Sequence, residues 1–156
     1  MTTPQTSPET PTISREEVLD FANRNLVGWM ATVDGTQPRV RGLLMWFADE
    51  TGFYFHTGTM KCLADQLQAN PRVEVAFHDP GTGPHDSRML RVAGITERVE
   101  DEALIQRLKE ERSFLKDMVQ AIVDGELYLF RIYTGEAHFW TNAVNLRERE
   151  QPRWRF

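Results

Sequence analysis

From Gln37 polar and apolar residues alternate, then give way to an apolar run ending at Phe47, the pattern of a strand that passes from a half-exposed edge into a core. Arg39 and Arg41, two positions apart, fall on one face of that strand. The turn Ala48-Asp49-Glu50-Thr51-Gly52 leads into the aromatic run Phe53-Tyr54-Phe55, so the two strands are expected to form an antiparallel hairpin. The period then changes. Thr57-Gly58-Thr59 closes the second strand, and Leu63 and Leu67 mark the inner face of a helix predicted over Met60 to Ala69. Thr59 is its expected N-cap, Asn70-Pro71 its stop, and Lys61 falls in its first turn.

The remaining segments yield to the same reading. Met1 to Ile13 carries five threonines and three prolines with almost no apolar residues, which predicts a disordered leader. Ser14-Arg15-Glu16-Glu17 has capping-box spacing and opens a helix whose stripe is Val18, Leu19 and Phe21. Leu26 to Val33 is a strand that turns at Asp34-Gly35 into the arginine strand. In Arg72 to Phe77, Val73, Val75 and Phe77 alternate with polar or small neighbours. His78 to Ser87 is a Gly/Pro/Asp loop expected to be mobile. Arg88 to Val99 is a long strand in which Gly94 marks a bulge or a close backbone approach. Helical patterns follow over Glu100 to Glu111 and Ser113 to Val123, and a final hairpin, Glu126 to Tyr133 with Glu136 to Trp140, is expected around Thr134-Gly135. The sum is mainly β with flanking helices: a small antiparallel barrel over residues 14–145, followed by a tail over 146–156, since closure removes exposed strand edges.

Composition narrows the chemistry. A chain of 156 residues is one domain by size, and its net charge of −5 argues against nucleic acid or an anionic membrane as partner. There is no apolar run long enough to span a bilayer and no signal-peptide pattern. The single cysteine, Cys62, cannot form an intrachain disulfide, so the expected location is cytoplasmic. Against this acidic background the basic cluster is local. A lysine at a helix N-terminus is disfavoured by the helix dipole unless an anion sits there. Arg39, Arg41, the hydroxyls of Thr57 and Thr59 and the first-turn amides would supply a phosphate's remaining hydrogen bonds; a solvated lysine and two surface arginines are the other reading. His78-Asp79 and His85-Asp86 lack metal-ligand spacing, so no metal site is expected. No nucleophile elbow or phosphate-binding glycine loop with its lysine occurs, and lone Cys62 has no evident orienting histidine. Glu110-Glu111 reads as a solvated face, and Arg91 as either a structural ion pair or a contact to a bound cofactor.

Three segments in this order, WMATVDGTQPRVRGLLMWF, FYFHTGTMKCLADQLQANPRVEVAF and RMLRVAGITERVEDE, resemble the FMN-binding split-barrel superfamily, which includes the pyridoxamine 5'-phosphate oxidases and the nitroimidazole reductase (Nim) proteins. The resemblance runs from about Leu26 to Trp140. Thr-Gly-x-x-Lys, followed by Gln-Leu and Asn-Pro-x-Val, is most similar to the Nim-like branch. It implies a split barrel, a homodimer with FMN in clefts at the subunit interface, and flavin redox chemistry on a small organic substrate. Carried over residue by residue, Arg41 and Lys61 match phosphate contacts, Gly42, Leu43, Leu44, Met45 and Trp46 match the strand beside the flavin ring, and His56 and Thr57 match the next contact pair. Arg39, Gly58 and Thr59 complete the candidate set. The oxidases differ at Trp46, Cys62, Leu63 and Met89, and their C-terminal substrate-phosphate motif is not evident here, which argues against pyridoxamine phosphate oxidase activity while leaving FMN binding. No side chain stands out as acid or base. A non-catalytic flavin-binding or ligand-sensing module, or the same fold with deazaflavin or haem, are the alternatives.

Overall fold

The computed structural model describes residues 12–115, 117 and 126–156. The expected leader lies outside these apart from Thr12 and Ile13, as does the segment Ser113 to Val123 apart from residues 113–115 and 117. Helix α1 (Arg15–Arg24) begins where the sequence placed it. The Ser14 hydroxyl accepts the Glu17 N–H at 3.0 Å, Glu16 and Glu17 sit favourably in the first turn, and Val18, Phe21 and Ala22 turn inward.

Among the described residues eight antiparallel strands follow: β1 (Val27–Asp34), β2 (Gln37–Leu44), β3 (Phe47–Asp49), β4 (Gly52–Gly58), β5 (Arg72–Asp79), β6 (Arg88–Arg98), β7 (Leu127–Thr141) and β8 (Trp154–Arg155). Their spatial order is β2-β1-β5-β6-β7-β4-β3, with β8 added to β7. The two ends of that order, β2 and β3, are consecutive in the chain and joined only by Met45 and Trp46. The Met45 N–H bonds Leu26 O and the Trp46 N–H bonds Tyr54 O, both at 2.8 Å, so one short step carries the chain from one edge of the sheet to the other. Only a sheet curled into a barrel permits this. The interior is filled by inward-facing residues of alternating strands, among them Met30, Phe55, Phe77, Leu90 and Phe130, with Phe55 stacked on Phe77 and Phe130 at centroid separations of 6.4 and 5.7 Å. Helices α2 (Cys62–Ala69) and α3 (Glu102–Glu111) pack outside. Asp101 caps α3 by accepting the amides of Ala103 and Leu104, and Leu108 is its fully buried residue. Among the described residues no helix is long and apolar enough to cross a membrane.

Three expectations are corrected. The strand predicted over Gln37 to Phe47 is two strands, broken where fully buried Met45 enters the core and Trp46 enters a second cluster with Tyr54 and Leu108. Helix α2 starts at Cys62, two residues later than expected: Lys61 is its N-cap, while Thr59 is engaged elsewhere, its hydroxyl accepting the Glu126 N–H at 3.0 Å. The final hairpin is one uninterrupted strand. β7 pairs with β6 past Thr134-Gly135, where Gly135 faces Gly94 across the ladder. A Cβ on Gly135 would collide with Ala93 O, and one on Gly94 with Thr134 O, so these glycines allow a tight backbone crossing rather than a turn. The register shift falls beside them, between Ile95 and Thr96. The tail is also built in: Trp154 and Phe156 pack on the core, and Phe156 exchanges two backbone hydrogen bonds with Gly135.

Candidate functional site

A cleft of about 520 Å³ opens between β2, β4, the start of α2 and the chain just after α3. That lies within the range of roughly 300–1,000 Å³ common for small-molecule sites. Arg41 to Leu44 contribute from β2 and His56 to Gly58 from β4; Lys61 and Cys62 contribute from the head of α2, with Arg112, Phe114 and Leu115 opposite.

One end is basic. Arg41 is braced by its neighbours: Nη1 donates to Thr32 Oγ1 at 2.5 Å and Nη2 to Gln66 Oε1 at 2.7 Å, while the Thr32 hydroxyl donates to the same Gln66 oxygen. Thr32 and Gln66 are buried, and burial lowers the Arg41 pKa, as does the charge of Arg39 nearby. Lys61, the α2 N-cap, makes no side-chain capping bond. The residue thus sits at the positive end of a helix dipole and lines the same cleft as Arg41, where an anion would be favoured. Arg39 shares the face of Arg41 but is paired with Asp34 at 3.2 Å and lies outside the cleft. Thr59 is likewise outside, held against Glu126.

Along β2 the cleft wall is Gly42, Leu43 and Leu44. A Cβ on Gly42 would meet only the Trp29 ring, at an ordinary 3.7 Å, so the chain's own packing does not demand glycine there. Met45 and Trp46 do not line the cleft. Met45 is core, and Trp46 works from behind: its Nε1–H donates to Glu111 Oε2 at 2.7 Å, Arg107 donates to Oε1 of the same carboxylate, and the Arg107 guanidinium lies 5.0 Å above the Trp46 ring. Glu111 is thus a tether for α3 and not merely a solvated charge. The hydrogen bonds hold its carboxyl below the usual range.

The tether delivers a residue that sequence reasoning missed. Arg112, the C-cap of α3, donates from Nη2 to Met45 O at 2.6 Å and from Nη1 to Leu44 O at 3.2 Å, and its Nη1 lies 2.6 Å from His56 Nε2. Its partners lie 56 to 68 residues earlier in the chain, and it sits in a run of charges that carries no local signal. His56 is partly buried, and its pKa falls to about 4 through desolvation first, then the charges of Arg112 and Lys61.

Elsewhere, polar candidates have structural occupations. His78 meets Ser87, Asp79 bonds the Gly81 N–H, and Asp86 accepts from Thr82 and Gly83, organising the loop expected to be mobile. Of the two readings of Arg91 the structure shows the ion pair: it is bound to Glu74 at 2.6 Å and to Glu148, and it does not line the cleft. Among the described residues no three acidic, histidine or cysteine side chains gather as a metal would require.

Comparison with known proteins adds the following. The family model described as pyridoxamine 5'-phosphate oxidase matches residues 14–141. A pyridoxine/pyridoxamine 5'-phosphate oxidase of Ralstonia pickettii is 40% identical over 73 residues, 46% of this chain and 32% of that protein, so the match spans about a third of the relative's length. Among solved structures, a NimC/NimA family protein of Clostridium acetobutylicum superposes with a TM-score of 0.71 at 19% identity, over 93% of this chain and 95% of that one. A FAD-binding protein of Mesorhizobium loti does so with a TM-score of 0.62 at 23% identity, over 83% and 95%. The architecture is therefore the antiparallel split barrel that the sequence resemblance implied.

Proposed function

The chain belongs to the pyridoxamine 5'-phosphate oxidase family, and from that premise we propose that it is an FMN-binding oxidoreductase acting on a small organic substrate. The observation that carries the reading is the cleft itself, with Arg41 and Lys61 among its lining and Gly42 to Leu44 along its wall. Arg41, Lys61 and the amides at the head of α2 would hold the phosphate. The ring would lie along Gly42 to Leu44, where no side chain of Gly42 intervenes, with His56 and Thr57 at its polar edge. Bound flavin supplies the redox chemistry; the chain binds and orients it and excludes water with Leu43, Leu44, Leu63 and Leu115. His56 is neutral near pH 7 and does not serve there as a proton donor of acid strength.

A second copy of the chain completes the proposal. Val27, Trp29, Val40 and Leu44 are 46–69% exposed. They share the outer face of β1 and β2, in the register Val27 opposite Leu44, Trp29 opposite Gly42 and Ala31 opposite Val40. An apolar patch of this kind, continuous with the cleft at Gly42 and Leu44, supports a homodimer with the cofactor at the interface. The Thr-Gly-x-x-Lys spacing supports the Nim-like branch, in keeping with the NimC/NimA fold neighbour. Lone Cys62, exposed and free, suits a cytoplasmic location.

The test is an absorption spectrum of the purified protein followed by extraction of the bound group. A yellow protein releasing FMN is expected; a haem or deazaflavin spectrum, or failure to take up added FMN, overturns the assignment. NAD(P)H oxidation with nitroaromatic and quinone acceptors then reads turnover, and binding without any acceptor-dependent rate would leave a flavin module instead of an enzyme.

A further inference from the structure

The contact between Arg112 and His56 fixes more than a distance. A guanidinium has donors only, so the 2.6 Å approach of Nη1 to His56 Nε2 is a hydrogen bond only if Nε2 is unprotonated. The proton of the neutral ring then resides on Nδ1. Among the described residues no hydrogen bond engages Nδ1, and no buried side-chain nitrogen or oxygen lacks a partner. Nδ1 thus has no hydrogen-bond partner among the described residues, and the ring that carries it lines the cleft.

Arg112 is itself tightly placed. Its other donors hold Leu44 O and Met45 O at the break between β2 and β3, and the Trp46–Glu111–Arg107 tether fixes the helix end from which it reaches. Among the described residues the charges that act on His56 are Arg112 after α3 and Lys61 at the head of α2; Arg41, Cys62 and Glu126 line the same cleft. Both acting charges are cations and no described carboxylate is bonded to the ring, so the surroundings disfavour imidazolium.

We propose that Arg112 is a positioning residue that fixes His56 as its neutral Nδ1–H tautomer, giving the cleft one uncharged hydrogen-bond donor for an oxygen acceptor, a carbonyl or nitro group, of the bound ligand. The proposal deepens the flavin reading and rests on it only for the identity of that ligand. An uncharged donor orients an oxygen without changing the cleft's charge, whereas a titrating histidine would make binding pH-dependent across the physiological range.

Nitrogen-15 NMR of the His56 ring tests this directly, with and without FMN. In the wild type, Nδ1 should carry the proton and the ring should stay neutral down to about pH 5. In R112M, which keeps an apolar stem without donors, the Nε2–H tautomer should gain population and the titration midpoint should rise. The ratio of the FMN Kd in R112M to that in the wild type, read by flavin fluorescence, cancels the titration of the ligand's own phosphate at about pH 6 and should change between pH 8 and 5.5, centred on the new midpoint. A wild-type ring protonated at Nε2, or titrating near the ordinary histidine value, overturns the proposal even if R112M does not fold. So does a folded R112M with unchanged tautomer and midpoint. If FMN binds at no pH, the flavin reading falls and the tautomer measurement still decides this one.

Discussion

Arg41 and Lys61 are expected to answer mutation differently, and the difference follows from their partners. Arg41→Met removes two charge-assisted hydrogen bonds, at 2.5 and 2.7 Å, from oxygens on the buried side chains of Thr32 and Gln66. Such bonds are each worth about 1.5–3 kcal/mol net when well enclosed. Arg41 is itself partly exposed, and Thr32 still donates to Gln66, so the combined cost should be nearer about 2–3 kcal/mol. For a domain of this size that is a fall in Tm of roughly 5–10 °C. Lys61 has no side-chain capping bond to lose, and Lys61→Met should change stability by no more than about 0.5 kcal/mol. In the proposed phosphate site each substitution removes one contact, so both should weaken FMN by roughly 10- to 150-fold, the equivalent of about 1.5–3 kcal/mol. Urea unfolding of the FMN-free proteins and fluorescence titration of FMN separate the two effects. Equal destabilisation by both substitutions, or unchanged FMN affinity in Lys61→Met, would refute the division of labour argued for this cleft.

Other outcomes follow from the same contacts. His56 sits at about 4 in the folded chain against about 6.5 unfolded, so the unfolded state takes up its proton first as pH falls. Its contribution is complete above about pH 6.5 and is lost progressively towards pH 4, on the order of 2–3 kcal/mol; urea unfolding of the FMN-free chain at pH 7 and 5 should show a smaller difference in His56→Asn than in wild type. Trp46→Phe loses the Glu111 bond and should cost about 1–2 kcal/mol by thermal unfolding, with little change if the tether is idle. Gly94→Ala drives a methyl into Thr134 O and should cost about 1–3 kcal/mol, while Gly83→Ala, with open space around it, should be silent. Trp29→Glu places a charge in the outer β1–β2 patch and should yield a folded monomer by sedimentation, provided this patch is the dimer interface.

Local chemistry was legible wherever one segment carried its own cause. The Ser14 cap, the Asp34-Gly35 turn and the alternation of Val73, Val75 and Phe77 needed no distant partner, and each stands in the structure. What could not be read locally was the work of partners far along the chain. The run from Leu43 to Phe47 contains no breaker, and it divides because β2 and β3 belong to opposite edges of a closing sheet. Thr134-Gly135 has the composition of a turn, yet only its pairing with Gly94 shows what the glycine is for. Thr59 looked like a cap because Glu126, which claims its hydroxyl, is 67 residues away. The same limit applies to the cleft. Arg41, Gly42 to Leu44, His56 to Gly58 and Lys61 do converge on it, whereas Arg39, Thr59, Met45 and Trp46 are drawn off by partners that periodicity cannot name.

The long strand β7 also dictates when this protein can fold. It lies between β6 and β4, so the β2-β1-β5-β6 half and the β4-β3 half are stitched together along it by a late-coming segment of the chain. During synthesis both halves must wait with raw hydrogen-bonding edges until residues 127–141 emerge from the ribosome. Such dependence on distant contacts slows the search and lengthens the interval in which a chaperone, or another nascent chain, can capture those edges first.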